Sequence, residues 1–400
     1  MQTNLLAQIA GRRRIHPFPA RMAANIPWGI LAGRRRKRVL DPMAGSGTTL
    51  VVARATGHQA IGFDTDPLAI LLSRVWSCNC EPERIVRAGK RTLKRAKKIA
   101  SNKHAESWPA GADQETIAFV RYWFDARAGR RLRGLADAIE IVRDTDIRRV
   151  LWCAFSRLII TKETGASRAM DVSHSRPHRA FRTAPLNPLT AYMRTLRAVV
   201  AALPFSKTTK APLPKIRKGD ARILGIKSCS VDLVITSPPY LNAIDYIRGH
   251  KLSLVWMGYS VADLRSLRTD SIGAEKGLDL DDFTREITKT LRLGDLPIRF
   301  QRMLGRYTRD MDNAIAEIVR VLRPHGEAVL VLGDCMIRGV FVPNSRIVAL
   351  LAQRRGLRLV SRRRRPIPRR FRYLPPPRLG GDAKLGKRMR SEVVLTFRKS

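Results

Sequence analysis

Val231-Asp232-Leu233-Val234-Ile235-Thr236-Ser237-Pro238-Pro239-Tyr240 is the stretch on which the reading of the chain turns. Its apolar run, 231–235, has the length and continuous hydrophobicity of a buried parallel strand, and the polar segment after it stands at that strand's carboxyl end. In open α/β sheets ligands bind outside the carboxyl ends of the strands, so a polar, aromatic-ended tip there is a candidate active site. Pro238 and Pro239 contribute no N–H and hold their own φ angles. Carbonyl oxygens and the Ser237 hydroxyl are thereby left in set directions beside the flat face of Tyr240. Acceptors next to a stacking platform suit a planar base that carries an amino group. Taken alone, the same residues also fit a polyproline turn leaving a strand.

Upstream, Arg38-Val39-Leu40-Asp41-Pro42-Met43-Ala44-Gly45-Ser46-Gly47-Thr48-Thr49 has the pattern of a short strand, a glycine turn and a helix start capped by small hydroxyl residues. Gly45 and Gly47 let the backbone approach a ligand closely, and Asp41 stands at the strand tip. Gln59-Ala60-Ile61-Gly62-Phe63-Asp64 is a second strand, ending in an acid about twenty residues after the glycines. That is the separation at which a carboxylate meets the hydroxyls of a bound ribose. By itself, Asp64 equally fits a helix N-cap.

The sheet pattern stops over residues 81–212. Helical stripes run through Leu93, Ala96 and Ile99, through Leu132, Leu135, Ile139 and Val142, and, after Asn187-Pro188, through Leu189, Met193, Leu196 and Val200. The region reads as a largely helical insertion and a candidate target-recognition region. Its polar loop at 161–179 is expected to be exposed and suited to phosphate contacts, with His174 and His178 as solvated loop histidines. The sheet resumes with Asp220 at a strand end or turn. Residues 242–256 are expected to form a helix, 257–300 a mobile mixed-charge segment and 327–332 a parallel strand. Residues 357–360 and 393–397 then form a closing antiparallel pair, separated by a long basic loop at 362–390. The expected organisation is an N-terminal part of one catalytic domain over 1–80, the insertion over 81–212 and a C-terminal part over 213–400.

Four hundred residues with 44% apolar content build a proper core. Seventy-six Lys and Arg against 33 Asp and Glu leave a net charge of +43, far beyond what solubility requires, which points to a polyanionic partner and first to nucleic acid. No apolar run is long enough to span a bilayer, and the start, Met1-Gln2-Thr3-Asn4-Leu5-Leu6, has neither lipidation nor secretory character. A cytoplasmic protein is expected. The five cysteines, at 78, 80, 153, 229 and 335, form no paired metal pattern, and none follows a proline as a Pro-Cys nucleophile. No metal is expected.

The conjunction of residues 41–49, Asp64, Asp220 and residues 236–240 resembles the S-adenosylmethionine-dependent amino-methyltransferases of DNA. Asp41-Pro42-Met43-Ala44-Gly45-Ser46-Gly47-Thr48-Thr49 is similar to their cofactor motif and Thr236-Ser237-Pro238-Pro239-Tyr240 to their catalytic motif. The Ser-Pro-Pro-Tyr form is most similar to the cytosine-N4 branch. The resemblance covers the two ends of the chain and is weak across the insertion. It implies a Rossmann-like class I methyltransferase sheet, mostly parallel with a closing antiparallel strand, and S-adenosyl-L-methionine as cofactor. By the resemblance, Asp41, Pro42, Ala44, Gly45, Ser46, Gly47 and Thr48 line the cofactor's methionine and ribose side. Asp64 holds the ribose hydroxyls, and Asp220 sits near the adenine. Residues 16–22, with Phe18, Pro19 and Arg21, are similar to the segment that folds over the methionine part. Ser237, Pro238, Pro239 and Tyr240 are the implied catalytic residues. DNA is the implied partner, with RNA open, and a cognate restriction endonuclease and nucleoid association are compatible with it. Adenine N6 is the near alternative to cytosine N4. An RNA guanine-N2 methyltransferase and a catalytically dead, basic nucleic-acid-binding scaffold are the others.

Overall fold

The computed structural model describes residues 14–18, 21–102, 104–204, 211–241, 245–274, 279–367 and 391–400, together with Leu6 and Ile9. The chain forms two compact units. One comprises Met1–Arg36, Ala44–Lys218 and Ile244–Arg268, the other Lys37–Met43, Gly219–Ala243 and Thr269–Ser400. The strands in chain order are β1 (Arg38–Asp41), β2 (Gln59–Asp64), β3 (Ala169–Met170), β4 (His178–Arg179), β5 (Lys215–Lys218), β6 (Val231–Thr236), β7 (Leu322–Leu332), β8 (Cys335–Ile337), β9 (Val340–Val342), β10 (Leu357–Pro366) and β11 (Ser391–Lys399).

In the second unit β1 and β6 pair in parallel, Val39 opposite Leu233 and Leu40 opposite Val234. β6 and β7 are also parallel, with Thr236 opposite Leu330. β11 then runs antiparallel to β7, and β10 antiparallel to β11, giving the order β10-β11-β7-β6-β1. Val231, Leu233, Val234 and Ile235 are all buried, as the unbroken apolar run requires. Asp232 interrupts that run for a structural reason: Oδ2 accepts the Arg38 N–H at 2.7 Å and Oδ1 the Arg323 guanidinium at 2.6 Å, so one carboxylate ties the starts of β1 and β7 to β6. The helices Ile298–Val321 and Asn344–Arg354 bury Met311, Ile315, Ile318, Ile347 and Leu351.

In the first unit β2 pairs in parallel with β5, from Ile61 opposite Lys215 to Asp64 opposite Lys218. The helices Thr48–Ala55 and Pro67–Trp76 bury Leu50, Val51, Val52, Leu68, Leu72 and Val75. Beyond them lie the helices Pro82–Ala100, Gln114–Trp123, Ala126–Glu140, Thr145–Ile159 and Pro188–Val200. Asp113, Asp125, Asp144 and Asn187 cap four of these, each accepting an N–H of the first turn. The architecture is α/β and Rossmann-like, with mostly parallel strand pairing, flanking helices and antiparallel closing strands.

Three stretches differ from expectation. Residues 257–300 contain the helices Val261–Asp270 and Asp282–Thr290 and the start of Ile298–Val321. Their buried faces are narrow, Val261 and Leu264 in one and Thr284, Ile287 and Thr288 in the next, so charge hides the period. The loop expected to be exposed at 161–179 is packed: Ala166, Ser167, Ser173 and Ser175 are buried, and the Ala166 N–H donates to the Leu158 carbonyl. His174 and His178 do lie at the surface, near Asp171. Finally, residues 362–366 are not loop. They extend β10, paired from Arg362 opposite Leu395 to Pro366 opposite Ser391, because an outermost strand can leave arginine side chains in water while its backbone pairs. Residues 368–390 of that expected loop lie outside the described residues.

Candidate active site

In the first unit the site is built around the glycine loop. Gly45 and Gly47 have φ of +52° and +87°, the left-handed region. A Cβ on Gly47 would stand 2.9 Å from the Ser73 Cα, so a side chain is excluded by conformation and by space. The Ser73 hydroxyl donates to the Gly45 carbonyl at 2.8 Å. Asp64, at the end of β2, accepts the Gly45 N–H at 2.7 Å on Oδ2 and the Asp66 N–H at 2.9 Å on Oδ1. The N-cap that the sequence allowed for Asp64 belongs to Asp66, whose Oδ1 accepts the Leu68 N–H at 2.9 Å. Asp66 Oδ2 lies 2.6 Å from Nδ1 of His250, which is buried.

His250 carries the aromatic layer beside the loop. Its ring centroid is 5.0 Å from that of Phe18, and Phe18 stacks on Tyr246 at 5.9 Å with 14° between planes. Phe18 Cε1 is the nearest neighbour of the position a Gly45 Cβ would take, at 3.9 Å. The segment bearing Phe18 is anchored from the helix Thr145–Ile159: Arg157 donates to the Arg14 and Ile15 carbonyls at 2.6 and 2.9 Å, and His16 Nε2 lies 3.0 Å from Ser156 Oγ. Burial, with Arg157 and His250 nearby, holds the His16 pKa well below the usual imidazole range. Arg21 donates to the Ile9 carbonyl and lies over the Trp76 ring at 4.3 Å; its burial lowers its pKa to about 10. Ser46 and Thr48 are buried in the loop and at the helix start. Pro19 lies outside the described residues.

In the second unit Asp41 ends β1, is 2% exposed and accepts the Met43 N–H on Oδ1 at 3.2 Å; Pro42 beside it is buried. Asp220 is gripped by Arg222, whose Nε lies 3.0 and 3.1 Å from the two carboxylate oxygens and whose second arm reaches Asp310 at 2.6 Å. The hydrogen bonds that Arg222 donates to these two carboxylates, Asp220 first, raise its pKa. After β6 the turn is held from two sides. The Ser237 hydroxyl donates to the Val331 carbonyl at 3.0 Å, and Tyr307 Oη donates to the Pro239 carbonyl at 3.0 Å. The Tyr240 hydroxyl lies 3.5 Å from Ser237 Oγ. Burial, and then the charge of Glu392, raise the Tyr240 pKa, so the phenol stays neutral. Glu392 is paired with Arg365 at 2.8 Å, and burial lifts its own pKa.

The chemistry of the turn follows from the direction of one proton. With its O–H spent on Val331, Ser237 presents only lone pairs elsewhere and acts as an acceptor. Tyr307 and the Arg222–Asp310 pair were not found from the sequence, which left His250 near the site or in solvent; it is buried against Asp66. Tyr307 sits in the middle of a 24-residue helix, and only its burial with a polar tip sets it apart. Among the described residues no group of His, Cys, Asp and Glu is placed to hold a metal ion, and no helix is long and apolar enough to cross a membrane.

No protein-family model matches the chain. The type II methyltransferase M.MvaI of Kocuria varians is 21% identical over 423 aligned residues, which cover 96% of this chain and 90% of that protein. TTHA0409 of Thermus thermophilus, a proposed DNA modification methylase solved in complex with S-adenosyl-L-methionine, is 19% identical with a TM-score of 0.24. The match covers 45% of this chain and 51% of TTHA0409, so the chain spans about half the length of that structure. A TehB-like SAM-dependent methyltransferase from Corynebacterium glutamicum is 11% identical over 100% of this chain and 94% of its own, with a TM-score of 0.32. At these TM-scores the solved structures add nothing to the fold that the strand pairing describes.

Proposed function

We propose that the chain is an S-adenosylmethionine-dependent DNA methyltransferase that acts on the exocyclic N4 amine of cytosine. End-to-end similarity to a type II methyltransferase supports the methyltransferase class. The observation that carries the reading is the Ser237 hydroxyl, turned by the Val331 carbonyl into an acceptor on a turn whose next carbonyl but one is pinned by Tyr307. An exocyclic amine conjugated to its ring is a poor nucleophile. Acceptance of its N–H groups by Ser237 Oγ and the Pro238 carbonyl draws the nitrogen toward tetrahedral geometry and frees its lone pair. Tyr240 supplies the face on which a base extruded from the duplex stacks. Methylation itself makes the remaining amine protons acidic, so no strong base is required. The exocyclic acceptor also needs no cysteine nucleophile.

The residues of the first unit fit the methyl donor. Asp64 stands at the end of β2, where a ribose diol binds, with its carboxylate oriented by the Gly45 and Asp66 N–H groups. Phe18 and Tyr246 offer aromatic faces, which suit a sulfonium cation. When bound, the donor supplies an electrophilic methyl on that sulfonium. Asp41 and Asp220 are the proposed cofactor residues of the second unit, Asp220 with its carboxylate fixed by Arg222. DNA in the cytoplasm is the proposed substrate, with a cognate endonuclease as the proposed partner in restriction and modification.

Incubating the protein with plasmid DNA and S-adenosylmethionine, followed by mass spectrometry of the nucleosides, tests this directly. N4-methylcytosine is expected. N6-methyladenine, or product from RNA alone, overturns the assignment of the base or of the nucleic acid, and failure to bind the donor overturns the methyltransferase reading itself.

A further inference from the structure

We infer that the helix Pro82–Ala100 is a docking rail for the phosphate backbone of duplex DNA, separate from the residues that hold the base and the methyl donor; the inference rests on the reading of the chain as a DNA methyltransferase. The helix carries eight cations and one acid, Glu83, in nineteen residues. Ile85, Ala88, Gly89, Thr92 and Ala96 are buried on one side. That side is closed by tight packing. A Cβ on Gly89 would come within 2.2 Å of Leu196 Cδ2 on the helix Pro188–Val200, and one on Gly134 of the helix Ala126–Glu140 within 2.6 Å of the Ala96 carbonyl oxygen.

The opposite side is a cationic stripe. Arg87, Arg91, Lys94 and Lys98 follow one another at helical spacing, over a length of about 16 Å at the rise of an α-helix, and Lys90 and Lys97 flank them. All six are exposed. Among the described residues none of the six meets a carboxylate, whereas neighbouring cations of the same unit do: Arg84 pairs with Asp144, Arg133 with Asp137, and Arg149 with Asp146. Like charges at this spacing cost a helix a few tenths of a kcal/mol each. The array therefore opposes folding of the free protein, and a polyanion lying along it removes that cost.

The chemistry of the stripe selects the partner. The helix has no aromatic residue on which single-stranded bases could stack. Its buried side packs against two helices and its fully exposed residues from 83 to 98 are all charged, so it presents no broad apolar face to a lipid surface. A duplex presents one negative charge per roughly 1.7 Å of axis, dense enough to meet successive cations of the stripe. Interactions of this kind position the duplex without reading its sequence.

The test uses the full-length protein and short duplexes of unrelated sequence, with affinity measured by fluorescence anisotropy across a salt series. In the quadruple variant R87Q/R91Q/K94Q/K98Q the slope of log K against log salt should flatten by about 0.9 for each phosphate that is no longer neutralised. Affinity should fall by about tenfold or more at physiological salt, equally for every sequence. The charge-keeping variant R87K/R91K should retain the wild-type slope. Unfolding midpoint and S-adenosylmethionine binding check that the variants remain folded. An unchanged slope overturns the inference. So does a loss confined to one sequence, or a loss seen with RNA or with phosphatidylserine vesicles but not with duplex DNA. A wild-type protein that binds duplex through this helix yet transfers no methyl group overturns the proposed function and leaves the rail standing. One that methylates DNA while the quadruple variant keeps its slope does the reverse.

Discussion

The glycine loop and the Ser-Pro-Pro-Tyr turn are held in place by opposite means. In the first unit the supports are ionic: Asp64 takes two backbone N–H groups, Asp66 takes a third and contacts His250, and His250 backs Phe18 against the loop. In the second unit they are neutral, the Ser237 hydroxyl on Val331 and the Tyr307 hydroxyl on Pro239. Hydrogen bonds with an ionised partner are roughly twice as strong as neutral ones, but they tie geometry to protonation state. A turn that accepts from an uncharged amine gains by staying neutral. A loop proposed to hold a cationic donor gains from carboxylates beneath it.

The largest expected effect lies on the ionic side. His250→Ala leaves the Asp66 carboxylate without its buried partner and should destabilise the protein by about 3 kcal/mol, seen in denaturant unfolding, and weaken S-adenosylmethionine binding. His250→Asn, which keeps a donor near the Nδ1 position, should recover part of both. A His250→Ala protein with wild-type stability and donor affinity would break the contrast. Next, Tyr240→Ala removes the proposed stacking platform, worth about 1–3 kcal/mol, and should lower kcat/KM by about tenfold or more with donor affinity retained. Wild-type turnover would remove base stacking from the mechanism.

A smaller effect sharpens the neutral side. Tyr307→Phe deletes one hydrogen bond to the turn, about 1 kcal/mol, and should reduce kcat while leaving donor binding in place; equal loss of donor binding would assign Tyr307 a broader structural role. The smallest effect concerns pH. Because burial lowers the folded-state pKa of His16 below its unfolded value near 6.5, the unfolded chain binds the extra proton first as pH falls. The contribution is full above that value and is lost as pH falls through it toward the folded pKa. Unfolding midpoints should therefore drop from pH 7 to pH 5 more steeply in the wild type than in His16→Gln, and equal slopes would count against a neutral buried His16.

Legibility followed the distance over which each feature is decided. The strand 231–236, its turn, the glycine loop and the acid ending β2 are local: an apolar run, two prolines, two glycines at positive φ and a strand-terminal carboxylate all announce themselves within a few residues. The helices at 261–270 and 282–290 did not, because so few of their residues are buried that the helical period is submerged in charge. Arg362 to Arg365 looked like loop for a related reason, since arginine in an outer strand is decided by the partner strand and not by its neighbours in sequence.

Residue types and their local spacing were thus enough to indicate an α/β chain with a polar turn at a strand end, a backbone-exposing loop and a large positive charge. Tertiary structure alone decided which groups hold those parts. Tyr307 stands 68 residues from the carbonyl it binds, Val331 stands 94 from Ser237, and His250 stands 184 from Asp66. Side-chain patterning records which face a residue turns inward. It does not record which distant donor waits there, and that is what sets Ser237 as an acceptor and leaves one face of the helix Pro82–Ala100 with cations that meet no acid among the described residues.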